Sequence, residues 1–140
     1  IFATDISIKS ILVAKQNAAK FCCENIIFLN HDWNNEWLFP QVDYLISNPP
    51  YVDKEATSGK EEGIWHEPEI ALFSKDKGLS DLKLILSKGK NFLNENGKVY
   101  LEHAPDQYEE LNKFAMENGY LNFSNLNDLN GDKRVSIYQC

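Results

Sequence analysis

Asp43-Tyr44-Leu45-Ile46-Ser47-Asn48-Pro49-Pro50-Tyr51 is the stretch that decides the fold of this chain. Its first five residues hold a continuous Tyr-Leu-Ile run and read as a buried strand. Asn48-Pro49-Pro50 ends that strand abruptly, because proline brings no backbone donor to a ladder. A residue ahead of a proline is pushed toward extended geometry, which constrains both Asn48 and Pro49. The result is a stiff loop presenting an amide side chain, a carbonyl and an aromatic ring. It stands at the carboxyl end of a strand, where open α/β sheets bind their ligands. Such a set suits a planar NH2 group, whose hydrogens two acceptors hold while a ring stacks on its face. The plainer alternative is a proline-stiffened turn.

Upstream, Ile1-Phe2-Ala3-Thr4 is a short apolar run ending at Asp5, as at the end of a strand. Ser7 is placed to cap a helix carrying Ile8, Ile11, Leu12, Ala18, Ala19 and Cys22 on one buried face. Ile26-Ile27-Phe28-Leu29 reads as a second buried strand. Downstream, residues 78–93 predict a helix with Leu82, Ile85, Leu86, Phe92 and Leu93 inward. Gly97 then opens a strand over 98–102. A third helix, from about 106 to 118, buries Tyr108, Leu111, Phe114 and Ala115. Two last strands, 120–126 and 134–139, flank the turn signal Asn130-Gly131-Asp132 and predict a hairpin. Strands alternating with helices predict an α/β fold: a mostly parallel sheet covered on both faces, finished by an antiparallel C-terminal hairpin.

Residues 51–74 form one long irregular stretch. Asp53, Glu55, Glu61, Glu62, Glu67 and Glu69 stand in it against Lys54 and Lys60. A connection this long inside a compact domain is more often functional than idle.

The chain has 140 residues, 43% hydrophobic and 25% charged, which excludes a disordered or collagen-like chain. Asp plus Glu number 21 against 14 Lys plus Arg, a net charge of −7. Phosphate backbones are bound by Lys and Arg, so direct nucleic-acid binding by this part is not expected. No apolar run approaches the roughly 18 residues of a membrane helix, and no membrane association is expected. Three cysteines, two of them the adjacent Cys22 and Cys23, make no disulfide framework, and reduced thiols point to a cytoplasmic setting. His31, His66 and His103 lack metal-ligand spacing, so no metal is expected. Cys22 and Cys23 fall in a helix without a nearby base, which favours core packing over reactivity.

Asp5, an acid at a strand end entering a helix, reads two ways. It can bind ribose hydroxyls or serve the helix start. Asp32-Trp33 likewise offers a carboxylate and an indole that could frame an adenine, or Trp33 belongs to the core. Glu67-Pro68, Glu102-His103 and Gln107 are weaker signals, and Glu102 reads first as a surface acid.

One family carries all of these in the same order. Thr4-Asp5-Ile6-Ser7, Ala14 through Asn17-Ala18, Asp32-Trp33 and Ser47-Asn48-Pro49-Pro50-Tyr51-Val52 resemble the release factor glutamine methyltransferases. So do Glu67-Pro68 with Ala71-Leu72, Gly78-Leu79, Leu101-Glu102-His103 with Gln107, and Asp128-Leu129-Asn130-Gly131 through Arg134-Val135. The resemblance implies a Rossmann-like methyltransferase fold that uses S-adenosyl-L-methionine (SAM). It implies methylation of N5 of the glutamine in the Gly-Gly-Gln motif of class 1 peptide chain release factors, which affects translation termination. Asp5 would bind the SAM ribose, Asp32 and Trp33 the adenine, and Asn48 both SAM and the target amide. Pro49 would accept the second amide hydrogen through its carbonyl, with Pro50 beside it, and Tyr51 would stack on the amide plane. The family's Gly-rich turn and its N-terminal helical domain do not stand within residues 1–140, and Ala104-Pro105 occupies a place where many relatives have glycine. The resemblance therefore implies a partial catalytic domain lacking the first strand of the sheet. A methyltransferase of exocyclic amines in adenine or guanine, or a noncatalytic SAM-fold binding module, are the alternatives.

Overall fold

The structure, a computed structural model, describes residues 1–57 and 67–140. Lys60, Glu61, Glu62 and His66 lie outside the described residues. The chain divides into two compact units, residues 1–39 and 40–140.

The first unit holds β1 (Phe2–Asp5), α1 (Ile8–Lys20) and β2 (Ile27–Asn30). The strands pair in parallel, Phe2 opposite Ile27 and Asp5 opposite Asn30. Ser7 caps α1 as its sequence predicts: its backbone is extended and its Oγ accepts from the Ser10 N–H at 3.3 Å. The expected buried face is narrower than predicted. Ile11 alone of α1 is buried, while Ile8, Leu12 and the strand residue Ile27 are exposed. Two strands and one helix present too little apolar surface to cover one another fully. The helix stops at Lys20, and Cys22 takes a left-handed φ of 54°. Cys22 and Cys23 thus lie past the helix and are exposed, not packed in a core.

The second unit holds β3 (Val42–Ser47), β4 (Leu93–Glu102), β5 (Asn122–Asn127) and β6 (Lys133–Gln139) in one sheet, ordered β3-β4-β6-β5. β3 and β4 run parallel; β6 is antiparallel to both β4 and β5, which makes the predicted terminal hairpin. The helices α4 (Ser80–Gly89) and α5 (Tyr108–Glu117) pack on each other, α4 also on β4 and α5 also on β6. Leu82, Ile85, Leu86, Val99, Leu101, Leu111, Ala115 and Tyr138 form the buried core. Each fully buried Leu of this set contributes about 1.5–3 kcal/mol relative to an exposed one.

Two expectations change here. Leu93 is not the last inward residue of a helix but the first residue of β4, which begins well before Gly97. A bulge accommodates the extra length: the β3 partner shifts from Leu93 opposite Val42 to Lys98 opposite Tyr44, with Asn96 at φ 62°. β3 is also not buried on both faces, since Tyr44 and Ile46 are 63% and 77% exposed. Among the described strands β3 has one neighbour, β4, and β1 likewise has one, β2.

Residues 51–74 are less irregular than expected at their two ends. They include α2 (Lys54–Thr57) and α3 (Glu69–Leu72). Val52 and Phe73 form a bridge, with Val52 N–H on the Leu72 carbonyl at 2.9 Å and Ser74 N–H on the Val52 carbonyl at 3.1 Å.

Candidate active site

The end of β3 builds the central feature. Pro49 and Pro50 are buried and Asn48 is exposed, so the amide stands on a rigid diproline base. Tyr51 is half-buried, and its hydroxyl donates to Glu102 Oε1 at 2.9 Å. The register explains the meeting: Ser47, the last residue of β3, lies opposite Leu101, so the loop after β3 emerges beside Glu102 at the end of β4. Burial, and then the hydrogen bond to Glu102 and its negative charge, push the Tyr51 hydroxyl above its ordinary pKa. It therefore stays protonated and donating at neutral pH. Glu102, read first as a surface acid, is half-buried and engaged in this contact. Arg134 of β6 adds positive charge on this rim and pairs with Asp128 at 3.2 Å.

The backbone behind the ring is held as well. The Gln107 amide donates to the Tyr51 carbonyl at 2.9 Å. Gly78, at φ 84°, approaches that carbonyl so closely that a Cβ would overlap it. Neither role could be read from composition, because both depend on contacts between distant segments. Ala104 is extended at φ −73° and ψ 148°, a geometry that needs no glycine.

In the first unit, Asp5 and Asp32 stand at and just beyond the carboxyl ends of neighbouring parallel strands. Asp5 Oδ1 accepts from the Ser7 N–H at 2.7 Å, so this acid serves the start of α1. The Asn30 side chain donates to the carbonyls of Asp5 at 2.9 Å and Ile6 at 2.7 Å, and His31 N–H donates to the Asp5 carbonyl at 3.0 Å. Asp32 Oδ1 accepts from the backbone and side chain of Asn34, both at 2.8 Å. Trp33 is half-buried; the core indole is Trp37, whose N–H donates to the Trp33 carbonyl at 3.0 Å. Sequence reasoning passed over Trp37, since neighbouring tryptophans at four-residue spacing look alike. Two carboxylates and a half-buried indole beyond neighbouring strand ends are groups of the kind that meet a nucleoside's hydroxyls and ring.

His103 is fully buried and belongs to the core of the second unit. Its Nδ1 faces the Ala104 carbonyl at 2.7 Å and so carries the proton; its Nε2 accepts from Ser136 at 2.8 Å. Glu67 and Pro68 are exposed at the start of α3. Among the described residues no group of three His, Cys, Asp or Glu could hold a metal ion, and no helix is long and apolar enough to cross a membrane.

Comparison with known proteins finds relatives along nearly the whole chain. The chain is 32% identical over 139 residues to the release factor glutamine methyltransferase of Francisella tularensis, covering 99% of the chain and 49% of that protein. It is 36% identical over 140 residues to the bifunctional methyltransferase of Rickettsia felis, again covering 99% of the chain but 27% of that protein. The chain thus spans about half the length of the one and about a quarter of the other. A methyltransferase from Pyrococcus furiosus, 18% identical, superposes with a TM-score of 0.70 over 99% of the chain and 61% of its own length. That likeness shows a shared Rossmann-like methyltransferase fold. No family model matches the chain.

Proposed function

From its homology to the release factor glutamine methyltransferases over nearly its whole length, we propose that this chain is part of a cytoplasmic SAM-dependent methyltransferase. Its substrate is the glutamine of the Gly-Gly-Gln motif in class 1 peptide chain release factors, methylated at N5. Residues 1–140 are in this reading part of the catalytic domain, as their share of the relatives' length supports. The observation that carries it is the exposed Asn48 on its buried diproline base, followed by a Tyr51 ring anchored to Glu102.

SAM, when bound, supplies a methyl group activated on a sulfonium. Asp5, with Asp32 and Trp33, would hold its ribose and adenine. The harder half of the chemistry falls to the chain. An amide nitrogen is a weak nucleophile because its lone pair is delocalised into the carbonyl. Asn48 Oδ1 and the Pro49 carbonyl accept the two amide hydrogens, which orients the nitrogen, raises its electron density and favours the pyramidal geometry of attack. Pro50 keeps this backbone rigid, and the Tyr51 ring covers the amide plane. Positioning of this kind supplies most of the acceleration, and no strong base is needed before attack. The amide proton becomes acidic only as the N–C bond forms and the methyl–sulfur bond breaks, and it then passes to water.

The test offers radiolabelled SAM and three substrates to the whole protein: release factor, the same factor with its Gly-Gly-Gln glutamine changed to alanine, and DNA or RNA. Label in the first alone is expected. Label in nucleic acid with release factor untouched would move the assignment to an exocyclic-amine methyltransferase. SAM binding without transfer to any of them would leave a binding module.

A further inference from the structure

We propose that Gln107 is a positioning residue for the 48–51 loop, an inference that rests on reading that loop as the catalytic one. Gln107 is 6% exposed, and its amide is spent on three separate segments. Nε2 donates to the Tyr51 carbonyl at 2.9 Å and to the Lys77 carbonyl at 3.0 Å, while Oε1 accepts from the Ala104 N–H at 2.9 Å. Both amide hydrogens and one acceptor site are thereby used. Tyr51 is held at both ends, its hydroxyl by Glu102 and its carbonyl by Gln107.

The segment that closes this clamp is unusual. Asp76, Lys77 and Gly78 have φ values of 54°, 54° and 84°, a left-handed run that non-glycine residues adopt at a cost. That geometry brings the Lys77 carbonyl to Gln107 and sets Gly78 against both the Tyr51 carbonyl and the Gln107 amide nitrogen. Only a hydrogen fits there. A buried amide serving the fold alone could end on any backbone group. This one ends on the residue whose ring is to lie on the substrate amide, and a displacement of about 1 Å there can cost about 10²-fold in rate.

The experiment compares Gln107→Leu and Gln107→Glu with Asn48→Ala in the whole protein. It measures kcat and KM for release factor, SAM affinity, melting temperature and hydrogen exchange at the Val52 amide. Gln107→Glu keeps the shape and the Ala104 bond but loses both donors, so it carries the test if the leucine variant does not fold. The expected result is a fall in kcat of about 10²-fold and faster exchange at Val52, with SAM affinity close to wild type and a melting temperature lowered by the lost buried bonds yet still above the assay temperature. Unchanged kcat in Gln107→Glu beside a collapsed Asn48→Ala would overturn the positioning role alone. If Asn48→Ala also kept its turnover, the loop itself would not be catalytic and both readings would fall. A parallel loss of melting temperature, SAM affinity and kcat would make Gln107 a fold residue only.

Discussion

The Tyr51 hydroxyl donates to Glu102 across 2.9 Å, joining the loop after β3 to the last residue of β4. This bond fixes the ring without consuming its face. Tyr51→Phe is therefore expected to keep most of the turnover and to lower stability by about 1.5–3 kcal/mol, the loss of a hydrogen bond to a charged group. Tyr51→Ala, which removes the ring, should reduce turnover far more. Steady-state rates and melting curves of both variants check this. Equal turnover in the two would deny the ring any part in catalysis.

Asn48 makes a sharper case. Its exposed side chain is not needed to bury the diproline base, so Asn48→Ala should leave the fold standing. Removing one preorganised polar contact to the reacting nitrogen is expected to lower kcat by about 10²–10³-fold. Single-turnover kinetics in the whole protein measure it directly. Near wild-type turnover would show that the amide is not held there.

Asp5 has a structural duty as well as a proposed one, because its Oδ1 accepts from Ser7 N–H. Asp5→Asn keeps an oxygen for that bond and removes the charge. SAM affinity should weaken by roughly 1.5–3 kcal/mol, the worth of a charge-assisted hydrogen bond. Calorimetry reads the affinity, and a melting temperature close to wild type confirms that the Ser7 N–H is still held. Unaltered SAM affinity would take Asp5 out of the cofactor site.

Local signals carried much of this fold into the sequence. Ser7 marked a helix start, Asn130-Gly131-Asp132 a hairpin, and the Pro49-Pro50 pair the end of β3, each through backbone preferences that act within a few residues. What escaped were consequences of distant pairing. Leu93 looked helical because an apolar residue after an amphipathic run continues the period, yet β3 draws it into β4 through a bulge. Ile46 looked buried because an apolar strand implies two covered faces, yet its face of β3 is left open, with Ile46 77% exposed and Tyr44 63% exposed. Glu102 and Gln107 looked ordinary until the turn at Gly78 brought three segments onto Tyr51.

Substrate class has its own signature in salt. The chain carries 21 acids against 14 Lys plus Arg. Binding driven by phosphate neutralisation loses affinity steeply as counterions are added, by about 10³–10⁵ between 50 and 200 mM salt for 6–10 contacts. Methylation of release factor by the whole protein should decline far less across that range. A slope as steep as that of phosphate-driven binding would point to a nucleic-acid substrate.

The last prediction concerns stability and pH, through His103. Burial lowers the pKa of this imidazole below its ordinary value of 6.5, outweighing the Ala104 carbonyl that favours the proton. In the unfolded chain the same group takes up a proton near pH 6.5. Between the unfolded and the depressed folded pKa, the unfolded state therefore binds more protons, and stability rises with pH. The contribution is fully present above about pH 6.5 and is lost as pH falls below it toward the folded value. Protonation would also turn Nε2 from an acceptor of the Ser136 hydroxyl into a donor, reversing a fully buried bond of 2.8 Å. The expected result is a melting temperature that drops between pH 7 and pH 5 by more in the wild type than in His103→Gln, which cannot titrate. Carboxylates shared by the two proteins cancel in that difference. Parallel curves for the two would show that His103 titrates alike in the folded and unfolded chains.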